Sequence, residues 1–289
     1  MTIFRRVLLC LVAALIAFSV VRMVKDPVAT LNWLADRSGY ERETGIAYGD
    51  HPRQRLDVYR PPYDPEAEPP VVVFFYGGAW SGGDRDSVRF VGQFLASRGF
   101  IVVIPDYRLR PEVAFPAFLE DGARALRWTQ DHIAIQGGDP RRIFLMGHSA
   151  GAYNAMMLAL DRRYGEAAGF DARNIRGVVG LAGLYDFKLD TDLWRWVFGA
   201  APDYNDTQPV YFAASGAPPV LLVTGDQDET VDPENSRSLA RHLEAAGAPV
   251  TLREVPGFRH MGVLLKLSPW YPGSALRDEI VAFLKQRAQ

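Results

Sequence analysis

Ser149 stands in Gly147-His148-Ser149-Ala150-Gly151, between a short apolar run (residues 143–146) and an Ala-, Met- and Leu-rich segment that continues to Leu160. A run too short for an independent helix, a G-x-S-x-G step and a segment that reads as a buried helix make a strand, a sharp turn and a helix. In such a nucleophile elbow the serine occupies a strained backbone position, and small neighbours let the chain double back and expose the hydroxyl. Ser149 is therefore the candidate nucleophile. A serine hydroxyl is a poor nucleophile near neutral pH, so a base must take its proton and a buried carboxylate must hold that base in one tautomer. The chain has five histidines. His148 precedes the nucleophile and is expected to point away from it, while His51, His132 and His242 lie in a turn or among charged helical neighbours and are expected to face solvent. His260 follows a strand-like run (residues 250–255), in a loop before the last helix, and by elimination and placement is the candidate base.

The acid should leave a strand between Ser149 and His260. Asp226, Asp228 and Asp232 all follow the run at residues 220–223. Three carboxylates around one imidazole are redundant, and Asp232 before Pro233 has the pattern of a helix N-cap with proline in the first turn. Negative charge developing on the substrate needs backbone N–H donors that only small residues leave approachable. Ala150 supplies one such donor in elbow geometry, and Gly78 and Ala79, in Tyr76-Gly77-Gly78-Ala79-Trp80 after the run at residues 71–75, are the natural others.

Alternating elements must carry these residues. Residues 44–48 and 55–59, separated by Gly49-Asp50-His51-Pro52, read as an antiparallel pair at a sheet edge. Residues 71–75 read as a strand buried on both faces. Helix at 87–97, strand at 100–104, helix at 118–131, the elbow, strand at 178–182, strand at 220–223, helix at 234–246, strand at 250–255 and helix at 275–288 follow. Such alternation predicts an α/β fold, a mostly parallel sheet with helices on both faces. Residues 186–217 interrupt it with Trp194, Trp196, Phe198, Tyr204, Tyr211 and Phe212. Insertions after a strand's carboxyl end are where α/β enzymes cover their ligands, so this stretch is expected to form a small cap, with Trp80, Trp194 and Trp196 as candidate substrate-contacting side chains.

The 289 residues, 48% of them hydrophobic, suffice for one large α/β domain with a sizeable core. A formal net charge of -2 without a block of like charges offers no electrostatic footprint for nucleic acid. The single cysteine, Cys10, lies in the N-terminal apolar run, so the body can form neither a disulfide nor a thiolate metal site. Arg5 and Arg6 precede an uncharged run at residues 7–21 that Arg22 and Lys25 close. As a helix that run is about 22 Å long, short of a bilayer core of about 30 Å unless the flanking arginines snorkel. Residues 1–26 are thus expected to be a membrane anchor or signal segment, retained more readily than cleaved because Val20 and Val21 continue the apolar run past Ala17-Phe18-Ser19. The basic N-terminal flank places the body (residues 27–289) outside the cytoplasm, which in a bacterium means the periplasm. Nothing in the sequence sets the oligomeric state.

These motifs resemble those of the α/β-hydrolase superfamily, and more narrowly the bacterial carboxylesterases related to hormone-sensitive lipase and the feruloyl-esterase-like group, over residues 45 to the C-terminus. Tyr76-Gly77-Gly78-Ala79-Trp80 keeps all of the family's H-G-G-x-W except the histidine, which puts loop support in question rather than the donors. Asp106-Tyr107-Arg108-Leu109-Arg110-Pro111-Glu112 looks like its D-Y-R-L-x-P-E loop. Gly225-Asp226-Gln227-Asp228 matches its G-x-x-D acid segment and selects Asp228. The resemblance implies the α/β-hydrolase fold with a small cap, a Ser149-Asp228-His260 triad, esterase activity on a small-molecule carboxylic ester, and no cofactor or metal. The same motifs serve amide hydrolases such as arylformamidases, and a non-catalytic binding module on this scaffold is the remaining alternative.

Overall fold

The computed structural model describes residues 26–35, 39–62, 68–271, 273 and 275–288. The apolar run at residues 7–21 lies outside them, and among the described residues no helix is long and apolar enough to cross a membrane.

The strands are β1 (Glu41–Ala47), β2 (Arg55–Arg60), β3 (Val71–Phe75), β4 (Ile101–Pro105), β5 (Ile143–His148), β6 (Ile175–Leu181), β7 (Val220–Gly225) and β8 (Val250–Val255). They form one sheet in the order β1-β2-β4-β3-β5-β6-β7-β8. β2 runs antiparallel to both β1 and β4, and every later pairing is parallel. The helices are α1 (Pro27–Ala35), α2 (Arg89–Ala96), α3 (Ala117–His132), α4 (Ala150–Leu160), α5 (Arg162–Ala168), α6 (Asp192–Phe198), α7 (Glu234–Ala245), α8 (His260–Leu265) and α9 (Ala275–Arg287).

The alternation in the sequence translates directly into layers. Right-handed crossovers put a helix on one face when the chain steps one way along the sheet and on the other when it steps back. The step from β3 to β4 is opposite in direction to the steps from β4 through β8, so α2 and the later crossover helices cover different faces. α9 returns to the α2 side, where Arg98 pairs with Asp278 at 3.6 Å. All residues of β3, β4, β5 and β7 are buried, as their continuous β-branched and aromatic runs require, whereas edge strand β1 is mostly exposed. α4 buries ten consecutive residues, Ala150 to Ala159, because its apolar side chains leave it no polar face.

Register fixes where the chemistry can be. Phe75 pairs with Gly147, His148 with Leu181 and Gly225 with Val255, so the carboxyl ends of β3, β5, β6, β7 and β8 share one rim of the sheet. This is where open α/β sheets hold ligands. Helices absent from the sequence expectation include α5, α6 and α8, the last of which begins at His260 itself, so that residue opens a short helix rather than sitting in a loop.

Candidate active site

At the end of β5 the chain turns into α4 through Ser149, whose φ is 56° and ψ −123°. A non-glycine residue held there stores about 1–3 kcal/mol of strain, and packing enforces it. A Cβ on Gly147 would fall 2.2 Å from the Gly151 carbonyl oxygen, and one on Gly151 would fall 2.0 Å from that of Phe75. Strand, turn and helix close on one another only with glycine at both positions. The Ser149 N–H donates to the Leu181 carbonyl at 2.8 Å, which ties the turn to β6. A serine at this position ordinarily caps its helix, yet the Ser149 hydroxyl bonds none of the α4 N–H groups. It is not committed to the helix, and the N–H groups and macrodipole at the start of α4 favour negative charge beside it.

His260 donates from Nδ1 to Asp228 Oδ2 at 2.8 Å. The other Asp228 oxygen accepts the N–H groups of Thr230 at 2.9 Å and Val231 at 3.0 Å. Burial would raise the Asp228 pKa, but the His260 hydrogen bond and those backbone donors outweigh it and hold the carboxyl below its ordinary value. With Nδ1 committed to an ionised Asp228, Nε2 is the nitrogen left to act as base. The other two candidate carboxylates do structural work. Asp226 Oδ1 accepts the Gly257 N–H at 2.6 Å, joining the acid loop to the base loop, and Asp232 Oδ1 accepts the Glu234 N–H at 2.9 Å at the start of α7.

His148 corrects a sequence expectation. Rather than pointing away from the site, its ring lies 4.7 Å from the His260 ring, centroid to centroid, and its Nε2 donates to the His260 carbonyl at 3.1 Å. Burial, then the neighbouring His260, push its pKa down to about 3, so it is a neutral Nε2–H tautomer. Its Nδ1 would stand 3.2 Å from a Cβ on Gly77, a position equally close to Ser149, whose Cβ would be 3.0 Å away. One imidazole therefore spans from the loop after β3 to the backbone of the base. The remaining histidines are peripheral: His51 meets Glu112 at 2.6 Å, His132 stacks on Trp128 and His242 bonds the Ser238 carbonyl.

The loop after β3 carries three successive residues at positive φ, Gly78 at 130°, Ala79 at 51° and Trp80 at 54°. Such a turn points consecutive N–H groups to one side and makes a concavity for an anion. Both ends of the loop are pinned. Trp80 is fully buried, its Nε1 donating to Asn154 on α4 at 2.9 Å and its ring packed against Phe118, Tyr153, Trp194 and Phe198. No face of the ring is open to a ligand, so the substrate contact expected of Trp80 gives way to a structural role. Tyr76 is buried at the other end, and burial, with Tyr107 and Asp106 nearby, pushes its phenol pKa well up, so its hydroxyl keeps its proton.

Residues 186–217 form α6 and two 3₁₀ turns, Asn205–Thr207 and Pro209–Phe212. Thr191 caps α6 by accepting the Trp194 N–H at 3.2 Å. Val197 and Phe198 anchor the segment, with Phe198 in contact with Trp80, Phe115, Phe118, Tyr153 and Phe187. Trp194 is half-buried on Phe187, whereas Trp196 is exposed beneath the Arg110 guanidinium, 4.4 Å from its ring centroid. In the segment resembling D-Y-R-L-x-P-E the charges are scaffolding. Asp106 accepts from Arg85, and Arg108 grips the buried Asp121 with two guanidinium bonds of 2.8 Å.

The BD-FAE family model matches residues 56–243. The chain belongs to the BD-FAE family. The span matched to BD-FAE holds the loop after β3, Ser149 and Asp228, and leaves Arg53 before it and His260 after it. Among curated proteins, this BD-FAE member is 33% identical over 262 residues to the isoprenylcysteine alpha-carbonyl methylesterase ICME of Arabidopsis thaliana, an alignment covering 83% of the chain and 61% of the relative. It is 29% identical to esterase LipC of Mycobacterium tuberculosis over 76% of the chain and 60% of LipC. The chain thus spans about three fifths of the length of these relatives. A truncated carbohydrate esterase from gut microbiota has the same fold, with a TM-score of 0.76 at 21% identity, covering 87% of this chain and 98% of that one.

Proposed function

We propose that this BD-FAE protein is a serine carboxylesterase that cleaves carboxylic esters of small to medium size through an acyl-enzyme. The observation that carries the reading is the Asp228–His260 hydrogen bond of 2.8 Å, tied at the His260 carbonyl to His148, the residue before an elbow serine held at φ 56°. His260 Nε2 takes the Ser149 proton as Oγ attacks the ester carbonyl. The N–H of Ala150, with those of Gly78 and Ala79, faces the oxygen that becomes negative. The imidazolium then protonates the departing alcohol, and water, deprotonated by the same nitrogen, releases the acid. The names of the relatives, a methylesterase and an esterase, agree with ester rather than amide substrates, and the first supports a small alcohol as leaving group. The aromatic cap supports an apolar acyl group, with Trp194 and Trp196 beside it. Turnover of p-nitrophenyl butyrate by the wild type, abolished in Ser149→Ala, tests the assignment; equal turnover by both proteins removes it.

We also propose that residues 1–26 deliver the enzyme to a membrane and hold it there, with the hydrolase domain on the far side from the cytoplasm. The support is the sequence pattern alone: Arg5 and Arg6 before an uncharged run at residues 7–21. Fractionation of cells expressing the full chain, with the N-terminus read by mass spectrometry, tests it. A soluble product that begins at Met1 or Thr2 contradicts it.

A further inference from the structure

We propose that Arg53, in the turn between β1 and β2, is a positioning residue for the oxyanion loop, acting through the Tyr76 hydroxyl. This rests on the esterase reading above and adds a residue outside the span matched to the family.

A single guanidinium closes the loop. Arg53 Nη2 donates to the Tyr76 hydroxyl at 2.7 Å and to the Gly83 carbonyl at 3.0 Å, so both ends of residues 76–83 hang from one nitrogen. Its Nε donates to the Tyr107 carbonyl at 2.8 Å. Tyr107 completes the circuit: its hydroxyl donates to the Tyr76 carbonyl at 2.7 Å, and the two rings stack at 4.8 Å with planes 17° apart. Tyr76 is thus held at its hydroxyl, its ring face and its carbonyl, immediately before the positive-φ run that aims the Gly78 and Ala79 N–H groups.

The brace is itself anchored. The Arg53 N–H bonds His51 Nδ1 at 3.1 Å, Gln54 N–H bonds the His51 carbonyl at 2.8 Å, and the Gln54 side chain donates to buried Asp121 at 2.8 Å. Asp106, paired with Arg85, lies 3.9 Å from the Arg53 guanidinium and is the second polar neighbour of the Tyr76 hydroxyl. Arginine suits this place because its planar fork offers several donors in fixed directions, which lysine cannot match. Oxyanion donors act only when pre-aimed at the position of developing charge, so a loose Tyr76 affects the transition state and leaves substrate binding alone.

The decisive variant is Tyr76→Phe, which removes one hydroxyl from a stacked ring and nothing else. With active sites counted by fluorophosphonate titration, Tyr76→Phe and Arg53→Ala should each lower kcat for p-nitrophenyl butyrate by about 10-fold or more, with KM changed less than about two-fold. Affinity for a trifluoromethyl ketone, which forms an oxyanion on Ser149, should fall in the same proportion. The double variant should be no worse than the poorer single one, since both break one linkage. Unchanged kcat per titrated site in Tyr76→Phe overturns the proposal, as does a double variant whose loss is the product of the single losses, or a loss confined to the number of titratable sites. Inactive Ser149→Ala beside a fully active Tyr76→Phe refutes the brace alone; a fully active Ser149→Ala removes the brace and the esterase reading together.

Discussion

Two side chains on this rim differ in what they do by where their protons sit. Asp228 is ionised because its hydrogen bonds outweigh its burial, and the proton on His260 Nδ1 points at it. Asp228→Asn keeps the shape but presents the wrong partner to that proton, and should lower kcat by up to about 10⁴-fold in steady-state assays. Asp226→Asn and Asp232→Asn, which only loosen loop bonds, should cost far less; the reverse ranking would move the acid to one of them. His148 is neutral for the opposite reason, buried with its pKa down at about 3. Its folded pKa lies below the ordinary 6.5, so as pH falls the unfolded chain takes up the proton first. The stability tied to its neutral state is complete above pH 6.5 and drains toward pH 3 at about 1.4 kcal/mol per unit. Urea unfolding at pH 7 and pH 5 should show His148→Gln losing about 2 kcal/mol less than the wild type over that interval. Equal losses would mean that His148 is not buried and neutral. Residue type and order singled out Ser149 and His260, while only the resemblance of Gly225-Asp226-Gln227-Asp228 to the family's acid segment chose Asp228 among three carboxylates. Sequence misreads His148 because the rule that a residue before an elbow serine faces away says nothing of which loop comes to meet it.

At the level of elements, the strands were more legible than the internal structure of residues 186–217. Fully buried strands such as Val71–Phe75 announce themselves by uninterrupted β-branched and aromatic composition. Boundaries moved by up to three residues, as at Glu41 and Ile175, where hydrogen bonding, not composition, ends an element, and α5 and α8 were missed because short helices of six or seven residues carry almost no periodic signal. The cap aromatics had a signal with two meanings. Phe198 and Trp80 spend theirs on each other, leaving α6 to present Trp194 and Trp196. An acyl chain that packs on this helix should gain about 0.8 kcal/mol, or about four-fold in kcat/KM, per methylene from acetate to hexanoate. Trp194→Ala should flatten that series, and a flat series in the wild type would place the acyl group elsewhere.

Across the whole molecule, the sheet rim is assembled from segments scattered between Arg53 and His260, and buried charge pairs brace the elements that carry them. Asp57 and Asp121 are completely buried, each satisfied by arginines: Arg42 and Arg85 for the first, Arg108 for the second. Such pairs join residues distant in sequence, which is why composition gave the fold and not the network that sets the loops. No candidate triad or oxyanion residue lies in residues 1–25, and deleting that segment should leave kcat/KM per active site unchanged; a large loss would tie it to the body of the protein. The central claim, a covalent acyl group on Ser149, is tested most directly by acid-quenching the enzyme during turnover of p-nitrophenyl butyrate and reading intact mass and peptides. A single butyryl group on the Ser149 peptide, absent from Ser149→Ala, is the expected result. Turnover with no adduct on that peptide in quenched or fluorophosphonate-treated enzyme would contradict it.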